Sequence, residues 1–265
     1  MKAKAMSLSG SAAKFLADGA KAWNLSWRMI IVIGSLPFIV AFLAAGIAVA
    51  NWNLYRWLTG SDGLALSETI PVLLWCLDLG LGLVIARHLW KARSLGIAFL
   101  YLCLSIGIFV VIGEKLNWGQ SVARVEASEP VAAVNMTGEI ALDHLSEVEF
   151  AFHWGQLLAG AYGTIMPLVF FRPTRLARYR ETISMLVPHC TLIPYFLLLF
   201  LWRIYRSFME PPQGYRFAIA EYNEIMELNL ALGVFLFMVF QLRRIRARQE
   251  TAMKAATLAL EERLA

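Results

Sequence analysis

Glu224 and Glu227 stand three residues apart at the head of an apolar run that ends at Leu242, and the run is too short without them. A helix needs about 20 residues to cross roughly 30 Å of hydrocarbon. Asn229 to Leu242 falls short of that, so both carboxylates must enter with it. Carboxylates in hydrocarbon are costly and are kept mainly where they act. The three-residue spacing puts both on one side of a helix. Glutamates so placed, beside one or two imidazoles, suit a hard or borderline divalent cation. A desolvated carboxylate also suits general acid–base work.

Three other pieces of chain reach the same depth. An earlier apolar run ends in Gly113-Glu114-Lys115-Leu116-Asn117-Trp118-Gly119-Gln120. The connection after it supplies Asn135, Glu139, Asp143 and His144, and the next run opens with His153-Trp154-Gly155-Gln156. Counting about 20 residues outward from the basic anchors Arg243 and Arg172 brings Asn223 and His153 to one boundary, with Glu227 about 6 Å beneath it. We therefore expect Glu114, Glu139, His144 and Glu227 to be catalytic groups, or the ligands of a divalent metal ion as cofactor. Trp118, Gln120, Asn135 and Glu224 are expected to position them. The competing expectation is structural: acidic residues favour helix N-termini, which accounts for Glu221 and in part for Glu224.

A second feature lies deeper. Asp78 is nine residues from Arg87 and His189 nine from Arg180, matched depths near the midplane that suit a buried proton relay. Pro188 and Pro194 free backbone carbonyls, which offers His189 a separate partner.

These depths presuppose the helices that set them. Of the 265 residues, 59% are hydrophobic and only 16% charged, which marks a membrane protein and an all-α, polytopic helix bundle. About six spans are expected, near Met29–Ala50, Glu68–Ala86, Leu95–Gly113, Phe150–Phe171, Ile183–Trp202 and Tyr222–Leu242. Basic clusters at the N-terminus, at Arg87/Lys91/Arg93, at Arg172/Arg175/Arg178/Arg180 and at Arg243/Arg244/Arg246/Arg248 alternate with mixed or acidic connections. By the positive-inside rule both termini are then cytoplasmic, in a bacterial inner membrane, and the connection 114–149 faces outward. Residues 1–28 read as a cytoplasmic interfacial segment, without a cleaved signal peptide, and 29–242 as the membrane domain. Residues 243–265 read as a cytoplasmic juxtamembrane helix. Cys76, Cys103 and Cys190 have no metal-ligand spacing and read as small core residues with no disulfide.

Glu114-x-x-x-Trp118-Gly119-Gln120, followed by Asn135-x-x-x-Glu139-x-x-x-x-His144-Leu145, resembles a family of uncharacterised bacterial multi-span membrane proteins. Members carry a Glu-Glu-x-Ser-Trp-Gly-Gln-Arg motif after a span and then an Asn-x-Gln-x-Glu-x-Asn-x-His-Asn stretch. This chain departs from it with Lys115 at the second Glu, Asn117 at the Ser and Ser121 at the Arg, and with altered spacing before His144. The resemblance implies that the outer constellation is the site, and it implies no chemistry.

Three functions remain open. The first is a membrane-embedded enzyme, metal-dependent if the cation is present, acting on a lipid or lipid-linked substrate at headgroup level. The second is a proton- or cation-coupled transporter, which needs polar groups continuous across depths. The third is a non-catalytic accessory subunit of a membrane complex, with other membrane subunits as partners. No phosphate-binding loop or nucleophile elbow is present, and no nucleic-acid patch is evident.

Overall fold

The computed structural model describes residues 25–59, 66–116, 118, 146–170 and 180–264. The N-terminal segment to Asn24 and most of the outer acidic connection lie outside these. Among the described residues the chain is all-helical, with no strand. In chain order the helices are α1 (Trp27–Ala50), α2 (Trp52–Thr59), α3 (Leu66–Lys91), α4 (Leu95–Lys115), α5 (Ser146–Val169), α6 (Arg180–Leu186), α7 (Ile193–Phe208) and α8 (Arg216–Leu264).

Five stretches are long and apolar enough to cross a membrane: Trp27–Ala50, Leu66–Lys91, Leu95–Lys115, Thr182–Phe208 and Gln213–Leu258. The expected span Phe150–Phe171 falls on α5, a helix of 24 residues that is not among these five. It is less apolar than the other five because His153 and Gln156 lie on it and Glu147 and Glu149 in its first turn. The last helix is far longer than expected, 49 residues in one piece, because nothing between Asn223 and the basic tail interrupts it with Pro or Gly-rich turn chemistry.

Helix α8 is the centre of the bundle. It packs against α1, α3 and α7; α4 packs on α3, and α5 on α7. Of the apolar window of α8, 67% is buried, against 22% for α1, so α8 faces protein while α1 faces lipid on most of its surface. Phe42, Val49, Phe99 and Leu158 are accordingly exposed. Cys76 and Cys103 are exposed as well, and only Cys190 is buried, which corrects the expectation that all three fill the core. All three are free thiols.

Prolines inside helices open the backbone, and tyrosines from other helices close it. Pro37 has no N–H to give the Ile33 carbonyl, and the Tyr195 hydroxyl donates to that oxygen at 2.7 Å. Pro188 ends α6, and a short 3-10 turn at Cys190–Leu192 precedes α7, so the stretch Thr182–Phe208 is broken in its N-terminal third. The carbonyls this break frees are taken from three sides. Gln241 Nε2 and Arg244 Nη1 of α8 donate to Ser184 O at 2.8 and 3.0 Å. Tyr101 of α4 donates to Met185 O at 2.6 Å, and Tyr162 of α5 to Leu186 O at 3.1 Å. In hydrocarbon an unmet carbonyl costs several kcal/mol, so the break holds only because these donors converge on it.

At the opposite end the short helix α2 lies against the start of α8. Its Tyr55 is fully buried and donates to Ala218 O at 3.0 Å. Burial, with the Glu221 charge second, pushes that phenol well above its usual range, so it stays a donor.

Candidate functional site

At the end of the bundle that the charge pattern expects to face outward, called the outer end below, α4, α5, α7 and α8 meet around Glu227. Its helix is parallel to α3 and buried on three sides, so its carboxylate is satisfied by side chains rather than solvent; 9% of the side chain is exposed. Lys115 Nζ lies 2.7 Å from Glu227 Oε2. Gln156 Nε2 and Asn223 Nδ2 donate to Oε1 at 2.8 and 2.7 Å. Arg203 Nη2 stands 3.9 Å from the same oxygen and donates to Gln156 Oε1. One carboxylate thus ties four helices together, and both of its oxygens are engaged.

Glu224, one turn outward, shares the same ammonium: Lys115 Nζ donates to its Oε1 and Oε2 at 2.9 and 2.8 Å. At 18% exposed, its side chain is more accessible than that of Glu227. Glu68 and Glu221 interact electrostatically with each other and with Lys115.

Glu114 and Trp118 are brought together by a tight reversal at the end of α4. Trp118 takes a left-handed backbone conformation, φ 50°, which turns its ring back over Gly113. A Cβ on Gly113 would stand 2.9 Å from the indole, so only glycine admits the ring there. The indole Nε1 then donates to Glu114 Oε1 at 2.5 Å, and the ring meets Phe109 edge-on. Glu114 itself is buried.

Below this cluster a cleft of about 1080 Å³ runs between α4 and α5, floored by α7 and α8. Leu104, Gly107, Ile108 and Val111 form one wall, Phe152, Gly155 and Ala159 the other, and Phe196, Leu230 and Val234 the floor. Glu114, Lys115, Gln156, Arg203, Glu224 and Glu227 line its outer end, and Leu186 and Pro188 its inner end. The cleft follows α4 from Leu100 to Glu114, about 21 Å at 1.5 Å per residue, more than the roughly 15 Å of one leaflet's hydrocarbon. Its volume stands at the upper limit of small-molecule pockets, about 1,000 Å³.

Of the residues expected at the site, the structure brings Glu114, Trp118, Glu224 and Glu227 to the outer end of α4 and α8. Gln120, Asn135, Glu139, Asp143 and His144 lie outside the described residues. Among the described residues no three His, Cys, Asp or Glu side chains are grouped to hold a metal ion. The Lys115 ammonium fills the space between Glu224 and Glu227 that a bridging cation would need.

Asp78 and His189 are not joined by a hydrogen bond. Asp78 is fully buried and neither carboxylate oxygen has a partner among the described residues, while His189 Nδ1 lies 2.8 Å from Thr191 Oγ1. The carbonyl freed by Pro188 accepts from Gln241 and Arg244.

Sequence reading passed over Lys115, Gln156 and Arg203. The signal for two of them was available: Lys115 and Arg203 are basic residues at span ends that the charge pattern expects to face outward, against the positive-inside rule. A cation on that side at that depth calls for a buried partner. No protein-family model matches this chain, and no curated protein or solved structure does either.

Proposed function

We propose that this is a six-span integral membrane protein with both termini cytoplasmic. It draws a lipid or lipid-linked molecule of the outer leaflet into the α4–α5 cleft and acts on its headgroup as a membrane-embedded enzyme. The observation that carries the reading is the continuity of an apolar cleft, longer than one leaflet, with a buried ionic cluster at headgroup depth. Gln249 Nε2 lies 3.2 Å from His88 Nδ1, which sets the basic ends of α3 and α8 on one side and supports the orientation. A bacterial inner membrane fits that charge pattern, and the resemblance around Trp118 fits a site at this end of the bundle.

The geometry exchanges two of the expected roles. Glu227, with both oxygens engaged, positions the cluster, together with Gln156, Asn223 and Arg203. Glu224 is the more accessible carboxylate, shares its proton environment with Lys115, and serves as the acid–base group facing the headgroup. Glu114, oriented by Trp118, is the second carboxylate on the cleft wall.

The transporter reading is favoured by one observation. Asp78, Asn229 and Gln241 are fully buried polar residues at other depths of α3 and α8, and the fifth span is broken. One experiment separates the two. The purified protein is incubated with a bacterial lipid extract, and new species are followed by mass spectrometry, beside proton uptake into vesicles. Conversion that is lost in Glu224→Gln and in Gly107→Trp supports the enzyme. No conversion, with proton uptake that depends on Asp78, replaces it with the transporter.

A further inference from the structure

The end of the bundle opposite the ionic cluster carries positive charge that its own elements do not balance. Arg87, Lys91 and Arg93 stand at the turn from α3 to α4, and Arg243 and Arg246 on α8; all five are exposed. Met238 of α8 lies 3.5 Å from where a Cβ on Gly82 of α3 would stand, and Gln249 Nε2 lies 3.2 Å from His88 Nδ1. The two helices therefore stay side by side to the end of α3, and the two sets of cations are level with each other. The sequence places no acidic residue between Asp78 and Glu114, and none between Glu227 and Glu250. The apolar stretch of α3 ends at Lys91 and that of α4 starts at Leu95, which holds the turn between them at headgroup depth. Trp90 and Leu95 flank the turn and are exposed, as side chains of the interfacial belt are.

Orientation in the membrane accounts for cations at this end, but not for the place of one of them. The amides of Arg93 and Ser94 donate to Trp90 O and Leu89 O, both at 3.0 Å, a closure that sets a left-handed residue just past the helix. That residue is Arg93, φ 59°, where glycine is the usual occupant because a Cβ is penalised there. An arginine could serve orientation equally well from a neighbouring, unstrained position. Its retention at the strained one is explained by a guanidinium that is needed at that spot.

We infer that the α3–α4 turn and the basic segment of α8 together hold the phosphate of an anionic lipid from the leaflet at this end, with Arg93 as the fixed cation of the site. Charge complementarity selects an anion, and headgroup depth selects a lipid over a soluble acidic protein. The inference is independent of the α4–α5 cleft and of what the cleft acts on.

The test is native mass spectrometry of the protein released from nanodiscs that hold equal parts of phosphatidylglycerol and phosphatidylcholine with identical chains. Phosphatidylglycerol is expected to be retained in preference. Arg93→Gly and Arg246→Gln should each cut that preference by about fivefold, the effect of one basic residue at an anionic surface. Lys254→Gln, an exposed cation farther along α8, should leave it unchanged. Arg93→Gly also relieves the left-handed strain, so its melting temperature should not fall, and lost lipid then reports the guanidinium and not the fold. Arg93→Gln repeats the measurement should the glycine variant fold poorly. Equal retention of the two lipids by the wild type overturns the inference. So does a preference that survives the substitutions at Arg93 or at Arg246, or one that Lys254→Gln lowers as much as they do, which would be the mark of diffuse charge and not of a site.

Discussion

Replacing Lys115 by Met should be among the most damaging single changes outside the apolar core. Its ammonium lies 2.7 Å from Glu227 Oε2 and 2.8 Å from Glu224 Oε2, with the three side chains 23%, 9% and 18% exposed. A solvent-exposed pair would be worth about 0–1 kcal/mol. These groups are too buried for that scale, and removing one member of a buried set costs about 3–5 kcal/mol because it leaves charge uncompensated. Here two carboxylates are left facing each other. Arg203, 3.9 Å from Glu227, offsets part of the loss and puts the figure at the lower end. At about 2–4 °C per kcal/mol for a chain of this size, the melting temperature falls by about 6–12 °C. Thermal unfolding in detergent, followed by tryptophan fluorescence and checked by size exclusion, measures it. The matched triple variant Lys115→Met/Glu224→Gln/Glu227→Gln should recover most of the loss, since neutralising the whole set removes the stranded charge. A single variant that melts within about 2 °C of wild type, or a triple variant no better than the single, would refute the reasoning.

Gly160 tests the packing of the cleft wall in the same assay, and Gly80 of α3 serves as its control. A Cβ on Gly160 would meet Phe200 N at 3.0 Å and Phe196 O at 3.1 Å, backbone that cannot rotate aside. Gly160→Ala should therefore cost about 1–3 kcal/mol by forcing α5 off α7. Gly80→Ala, with nothing within 4 Å, should gain up to about 1 kcal/mol from helix propensity. Asp78→Leu removes a fully buried carboxylate with no partner on either oxygen among the described residues and should leave the melting temperature unchanged or raise it by several degrees. A clear fall would show that Asp78 has a stabilising partner.

The bundle was legible in the sequence because hydrocarbon enforces it. Apolar runs of fixed length, broken by basic clusters, mark the helices: α1, α3, α4 and α5 begin and end within about five residues of the expected spans, while the fifth is broken and the last runs on to Leu264. That Glu224 and Glu227 lie within the last apolar helix, near the end of α4, was legible for the same reason. Their partners were not, because which helices adjoin α8 depends on side-chain packing that span order does not encode. Lys115 looked like a departure from a motif and is the counter-ion of both glutamates. Asp78 and His189 show the limit of matched depth: level residues meet only when their helix faces turn toward each other, and these form no bond.

The broken fifth span also fixes how the cleft can move. Tyr101 of α4 and Tyr162 of α5 grip neighbouring carbonyls, Met185 O and Leu186 O, so the inner parts of both walls are pinned to one post. At the far end, among the described residues, Glu227 joins the walls, by Lys115 from one side and Gln156 from the other. The two helices therefore resemble the legs of a pair of compasses, with a neutral pivot inside and an ionic clasp at the tips. Widening the gap for a second acyl chain would swing the tips and leave the pivot in place. The energy to release the clasp would have to come from the headgroup that displaces it, so a guest too short to reach the tips would find the legs closed.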